Sequence, residues 1–179
     1  MQLRDVAFDS NNNRLYVLVD FFDPDITTDQ FSFFVAAYDA ALNLVAGPAI
    51  YVPNFTGGRI GASAEAGIAV GPDGSVYVAG FETPPNGPER LIAAKFDPNL
   101  SGLPVVSRLD AFFNEGHAMQ GAADPRSGMI VAGDLNADFT QLFVRRVTTA
   151  GGISTLASLP LEFFGGPLGA DADGGVYAG

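Results

Sequence analysis

Hydrophobic positions in this chain come in short bursts, some alternating with polar residues and some nearly continuous, and Gly, Pro, Asn or Asp closes each burst. No stretch keeps the 3.6-residue period of an amphipathic helix. Bursts of this kind predict β-strands joined by tight turns. One pattern recurs. The stretch GPDGSVYVAG, Gly71 to Gly80, is echoed by DPRSGMIVAG (Asp124 to Gly133), DSNNNRLYVLV (Asp9 to Val19) and DADGGVYAG (Asp171 to Gly179). Each is a turn rich in residues that tolerate left-handed backbone angles, followed by an apolar strand. That combination predicts a hairpin between a first and a second strand.

Three landmarks put the echoes in register. Tyr16, Tyr77, Ile130 and Tyr177 mark the second strand, Tyr38, Phe96 and Val147 the third, and Phe55, Phe113 and Phe164 the end of the unit. From the second landmark to the third the interval is 17 residues every time, so strands three and four are copied without insertion. The other intervals shrink along the chain: 22, 19 and 17 residues from strand two to strand three, and 22, 17 and 13 from the Phe to the next second strand. Ala7, Ala69, Ala122 and Gly169, one residue from the end of each first strand, are all small, as a position crowded around a central axis requires.

Four-stranded units in tandem with no helical period predict an all-β fold, a β-propeller of antiparallel four-stranded blades. The expected blades are residues 1–60, 61–114 and 115–165, with the first two strands of a further blade in 166–179, all within one propeller domain. In such blades the two-to-three and four-to-one connections emerge on one face and the hairpins on the other. All the length variation falls on the first face, which makes it the expected recognition surface.

The residues GIAVGPDGSVYVAG followed by LIAAKFDPN resemble the tandem bacterial β-propeller repeats called SBBP repeats, and more loosely NHL-type propellers. The family pattern is a small-residue first strand, an Asp-Gly turn, VYVAG and a Lys-x-Asp strand. The second unit matches closely. The third has Arg146 at the Lys position and Thr148 at the Asp, and the first has Ala37 there and lacks the turn glycine. The resemblance implies a folding unit common in bacterial secreted and surface proteins, and no particular chemistry.

Charge narrows the partners. With 20 acidic against 9 basic residues, the net charge of −11 repels phosphate backbones and anionic lipid, so neither nucleic acid nor membrane insertion is expected; Ca2+ or a cationic partner fits better. The absence of cysteine excludes disulfides and thiol chemistry. The start MQLRDVAFD enters a strand pattern at once, leaving no room for the core of a signal peptide. The expected location is extracellular or at the cell surface if the chain belongs to a longer one with a leader, and cytoplasmic if it is the whole protein.

Eleven of the 20 acidic residues fall on the variable face, in the stretches DFFDPDITTDQ, FETPPNGPE and DLNAD and around Glu65, Glu115 and Glu162. Asp20, Asp23, Asp25, Glu82 and Asp134, with Phe21 and Phe22 in the longest loop, are the candidate ligand-binding set for a cation, a basic protein or a glycan; the alternative is solvated loops. Asp9, Asn11 and Asn13 alternate as oxygen ligands in calcium loops do, and Asp171 and Asp173 offer a shorter version, but both stretches stand where a hairpin turn is required. His117, the only histidine, lies two residues after Glu115 and could act with it in acid–base chemistry. Asp5 and Gln120, at the starts of first strands, are the polar residues placed to face an axial channel. The Phe residues in register, Phe55, Phe113 and Phe164, suit packing between blades.

Two functions remain open. One is a non-enzymatic binding or scaffolding propeller module; the other is a metal-dependent propeller enzyme, lactonase- or lyase-like, with its site on the axis. Three blades and two strands do not close a ring. Further blades of a longer chain, or a second copy in a homo-oligomer, are therefore expected to complete it.

Overall fold

Side chains on a strand point alternately to its two faces, so a strand that is apolar at every position must be covered on both sides. VYVAG and LIAA are of that kind, and they build the centre of the molecule. The computed structural model describes residues 1–22, 31–51, 59–61, 67–84, 86, 90–110, 120–135, 140–160 and 168–178. Among them are fifteen strands and no helix: β1 (Gln2–Asp9), β2 (Arg14–Phe22), β3 (Phe31–Tyr38), β4 (Leu44–Ile50), β5 (Arg59–Gly61), β6 (Gly67–Val70), β7 (Val76–Thr83), β8 (Arg90–Phe96), β9 (Val105–Asp110), β10 (Gln120–Asp124), β11 (Gly128–Leu135), β12 (Gln141–Thr148), β13 (Ile153–Pro160), β14 (Leu168–Ala170) and β15 (Val176–Ala178).

The sheets are antiparallel and follow chain order: β1-β2-β3-β4, then β7-β8-β9 with both β5 and β6 on the free side of β7, then β10-β11-β12-β13, then the pair β14-β15. The register reproduces the alignment read from the sequence. Ala7 faces Tyr16, Ala69 faces Tyr77, Ala122 faces Ile130 and Gly169 faces Tyr177. Ala37, Lys95 and Arg146 then hold one position on the third strand, opposite Tyr16, Tyr77 and Ile130.

Two boundaries differ from the expectation. β5 straddles the 60/61 division and belongs by pairing to the second sheet, since Arg59, Ile60 and Gly61 face Thr83, Glu82 and Phe81. Asp20, Phe21, Phe22, Glu82 and Asp134, expected in loops, are strand residues. Asp20, Phe21 and Phe22 face Phe33, Ser32 and Phe31, Glu82 faces Arg90, and Asp134 faces Phe143. The reason is cross-strand pairing: two aromatic runs, DFF and FSFF, extend the β2–β3 ladder past the point where acidic residues suggest a loop.

The core lies between sheets. Val76, Val78, Ile92, Ala94 and Phe96 pack against Tyr16, Leu18, Phe33, Val35 and Ala37 of the first sheet. The alternate residues Tyr77, Ala79, Leu91 and Ala93 pack against Met129, Val131 and Val147 of the third. Ile130, Leu142 and Val144 in turn cover Leu168, Ala170 and Val176. The same step is therefore taken three times, and the first strands β1, β6, β10 and β14 touch in that order.

Hydrogen bonds pin each step. Asp5, expected at a channel, instead accepts from the Ile68 amide at 2.9 Å and from Val6 N at 2.8 Å, tying β1 to β6. Tyr16 Oη and Arg14 both donate to the Pro98 carbonyl of the next sheet, at 2.7 and 2.9 Å. One sheet on, Lys95 donates to the equivalent carbonyl, that of Thr149, at 2.7 Å. Arg126 reaches the Asp173 carbonyl in the fourth.

Candidate functional site

Two places gather charged side chains. At the loop ends of β7, β8 and β9, Glu82 is fully buried, and its Oε1 accepts from Arg90 Nε at 2.6 Å and Arg108 Nε at 2.5 Å. Its Oε2 accepts from the Tyr51 hydroxyl at 2.8 Å, and Arg108 also donates to that hydroxyl at 3.3 Å. Tyr51 follows β4 in the first sheet, where its ring stacks on Phe33 with centroids 5.0 Å apart. Burial pushes the Tyr51 phenol up, and its bond to the Glu82 carboxylate and that charge push it further. Glu82 is thus a clamp between two sheets rather than an open ligand: a buried carboxylate is tolerable only with such partners.

Asp20 follows the same logic. It is buried, and Arg4 donates to its Oδ2 from Nε at 2.7 Å. Arg4 reaches it because the β1–β2 register slips between Leu3 and Asp5, leaving Arg4 as the extra residue of a bulge. Phe21 packs its ring on Phe34, 6.0 Å between centroids, so it is a cross-strand contact within the first sheet. Phe22 and Asp134 keep their strand positions given above. Asp23, Asp25, Asp29, Glu65, Glu89, Glu115, His117, Asp138 and Glu162, with Phe55, Phe113 and Phe164, lie outside the described residues.

The second gathering is at the hairpin ends. Asp9 Oδ1 accepts from the amides of Asn11 and Asn12, and Oδ2 from Asn12 Nδ2 at 2.7 Å. Asn13 adopts a left-handed φ of 51°, which closes the turn. The run of Asp9, Asn11 and Asn13 that resembles a cation loop therefore folds as a turn built on its own donors. Asp171 does likewise, accepting from the amides of Asp173 and Gly175 at 3.0 and 2.7 Å and from the Tyr177 hydroxyl at 2.7 Å.

In the middle sheets a cation joins the turn. Lys95 donates to Asp73 Oδ2 at 2.8 Å and Arg146 to Asp124 Oδ2 at 2.7 Å, each from the third-strand position that Ala37 holds in the first sheet. Burial pushes the Asp124 carboxyl up, but the Ser127 hydroxyl, the Arg126 amide and the Arg146 guanidinium together hold it below the usual carboxylate value. Burial and Lys95 oppose each other at Asp73 in the same way, with the same outcome.

Between these hairpins lies a depression of about 250 Å³, lined by equivalent residues of three sheets: Phe8, Val70 and Ala123 at the ends of the first strands, and Asp9, Gly71 and Asp124 beside them. Ser10, Asn11, Pro72 and Pro125 of the turns complete its walls. Among the described residues no group of three or more His, Asp or Glu is placed to hold a metal ion, and no helix is long and apolar enough to cross a membrane.

Sequence reasoning missed the basic half of these arrangements. Arg4, Arg90, Arg108, Arg146 and Tyr51 complete the sites, and one signal was available: Glu82 and Arg90 lie symmetrically about the turn joining two strands, so pairing had to bring them together. Compared with known proteins, the chain matches no protein-family model, no curated protein and no solved structure.

Proposed function

We propose that the chain is a run of consecutive β-propeller blades serving as a non-enzymatic binding or scaffolding module, of the tandem-repeat kind it resembles in sequence. The observation that carries this is the threefold repetition of one packing step, in which each sheet covers the next and the first strands meet in chain order. Sheets stacked by one repeated step around neighbouring first strands are what a propeller requires.

The described charges are used for cohesion. Glu82, Asp20, Asp73 and Asp124 pair with arginines and a lysine of their own sheets, and Glu82 and Lys95 also bond across to a neighbouring sheet, through Tyr51 and the Thr149 carbonyl. Recognition then falls to the connections expected on the variable face, among them the stretch after β2 in the sequence that contains Asp23, Asp25 and Asp29. A basic peptide or a glycan array probed with the purified chain tests this. Binding without turnover, weakened when those three aspartates become asparagine, is the expected result. Hydrolysis of a lactone panel that disappears in His117→Ala would overturn it in favour of an enzyme.

A further inference from the structure

We propose that Lys95 and Tyr77 are alternative donors to one acceptor, the Thr149 carbonyl, at the joint where the second sheet meets the third. Lys95, the single lysine of the chain, holds that carbonyl while it is charged, and Tyr77 is a reserve donor that takes it over when the charge is removed. The basis is a comparison with the joint before it, where the equivalent tyrosine is bonded and no lysine stands at the equivalent position.

Between the first and second sheets, Ala37 stands at the position of Lys95 and offers no side-chain donor. There Tyr16 donates to the Pro98 carbonyl at 2.7 Å, beside Arg14. Thr149 is the counterpart of Pro98, two residues after Val147 as Pro98 is two after Phe96. By that register Tyr77, the counterpart of Tyr16, belongs on the Thr149 carbonyl. Lys95 is there instead: its Nζ donates to that carbonyl at 2.7 Å, while Asp73 Oδ2 holds the same ammonium at 2.8 Å. A charge-assisted bond outcompetes a neutral one for the same acceptor. Tyr77 is wholly buried, and its hydroxyl has no hydrogen-bond partner among the described residues. A buried hydroxyl in that state costs stability that a bond would return.

The idle hydroxyl is kept near the place it would fill. Lys95 Nζ lies 5.6 Å from the centre of the Tyr77 ring. The ring is wedged against two glycines: a Cβ at Gly71 would stand 2.6 Å from Cε2, and one at Gly128 would stand 3.1 Å from Cζ. With so little room, the phenol does not swing away to find a distant partner. Burial pushes its pKa up, so it keeps the proton it would donate. The bond to Asp73 raises the Lys95 ammonium above its ordinary value, so Lys95 stays charged and keeps the carbonyl at neutral pH.

Urea unfolding of the full chain carrying Tyr77→Phe, Lys95→Met or both tests this, with the folding equilibrium constant as the readout. In the parent, Tyr77→Phe leaves the constant within about twofold or raises it, because the hydroxyl makes no bond there. In the Lys95→Met background the same change lowers it about fivefold, the loss expected for Tyr16→Phe at the first joint. Lys95→Ala, which copies Ala37, gives the same pair of results without the bulk of the methionine. A fivefold loss on removing the hydroxyl from the parent overturns the proposal, since the hydroxyl is then already bonded, to water or to the carbonyl. So does a hydroxyl whose removal costs nothing in either background. Failure of both lysine variants to fold overturns it as well, because the reserve donor then does not hold the joint.

Discussion

Leu42 and Leu100 occupy one position of the turn between third and fourth strands, three residues after Asp39 and Asp97, and both take left-handed backbone angles, with φ of 61° and 55°. Gly151 stands there in the third sheet, at 85°. A left-handed residue other than glycine costs about 1–2 kcal/mol, and replacing it by glycine returns that strain while loosening the unfolded chain by about 0.5–1 kcal/mol. Leu42 is largely exposed, so little burial is lost, and Leu42→Gly stabilises the monomer by about 0.5 kcal/mol. Leu100 is buried among Phe33, Val35 and their neighbours of the first core cluster. Removing a buried leucine side chain costs about 2–5 kcal/mol, so after the same relief Leu100→Gly loses about 2–3 kcal/mol. For a chain of this size the shifts in Tm are roughly +1 to +2 °C and −4 to −12 °C. Calorimetry, supported by urea unfolding with unchanged slope, reads both. A Leu42→Gly variant that loses stability in the monomer would refute the strain argument. A Leu100→Gly variant as stable as the parent would refute the packing one.

Other tests address the charged joints and the hairpins. Glu82→Gln leaves two guanidiniums without their counter-charge and lowers stability by about 2–4 kcal/mol, the partial exposure of both arginines moderating the loss; an unchanged urea midpoint contradicts the clamp. Asp124 binds its proton less readily folded than unfolded, so it contributes stability above the ordinary carboxylate range, and this is lost as the pH falls from that range through the lower folded-state value. Unfolding midpoints measured at several acidic pH values should fall less steeply in Arg146→Met than in the parent, and parallel curves would exclude Arg146 as a cause. A Cβ at Gly71 would stand 2.6 Å from Tyr77 Cε2 in the packed interior, so Gly71→Ala costs about 1–3 kcal/mol; thermal melting checks it, and no loss would mean that the ring moves freely. Tyr16→Phe removes the donor to the Pro98 carbonyl and costs about 1 kcal/mol by chemical denaturation, whereas a gain would show that the bond does not hold the sheets together.

Local pattern alone determined the hairpins and most of the strands in their order, though not β5 or the extension of β2 through Phe22. Turn residues at Asp9, Gly71, Asp124 and Asp171, and apolar runs after them, required hairpins; a constant interval from Tyr38, Phe96 and Val147 required the copied third and fourth strands; and the pairs Ala7 with Tyr16 and Ala69 with Tyr77 follow from that register. VYVAG is apolar at consecutive positions, and period-two geometry made it a strand covered on both faces. The fate of the carboxylates was decided elsewhere. Whether Glu82 is a loop ligand or a buried clamp depends on Tyr51 and Arg108, 31 and 26 residues away in the chain. Whether Asp20 stands free depends on a one-residue slip that turns Arg4 toward it. Local spacing carries no information about such partners, because burial of a charge is settled by which distant donors the packed sheets bring within hydrogen-bonding distance.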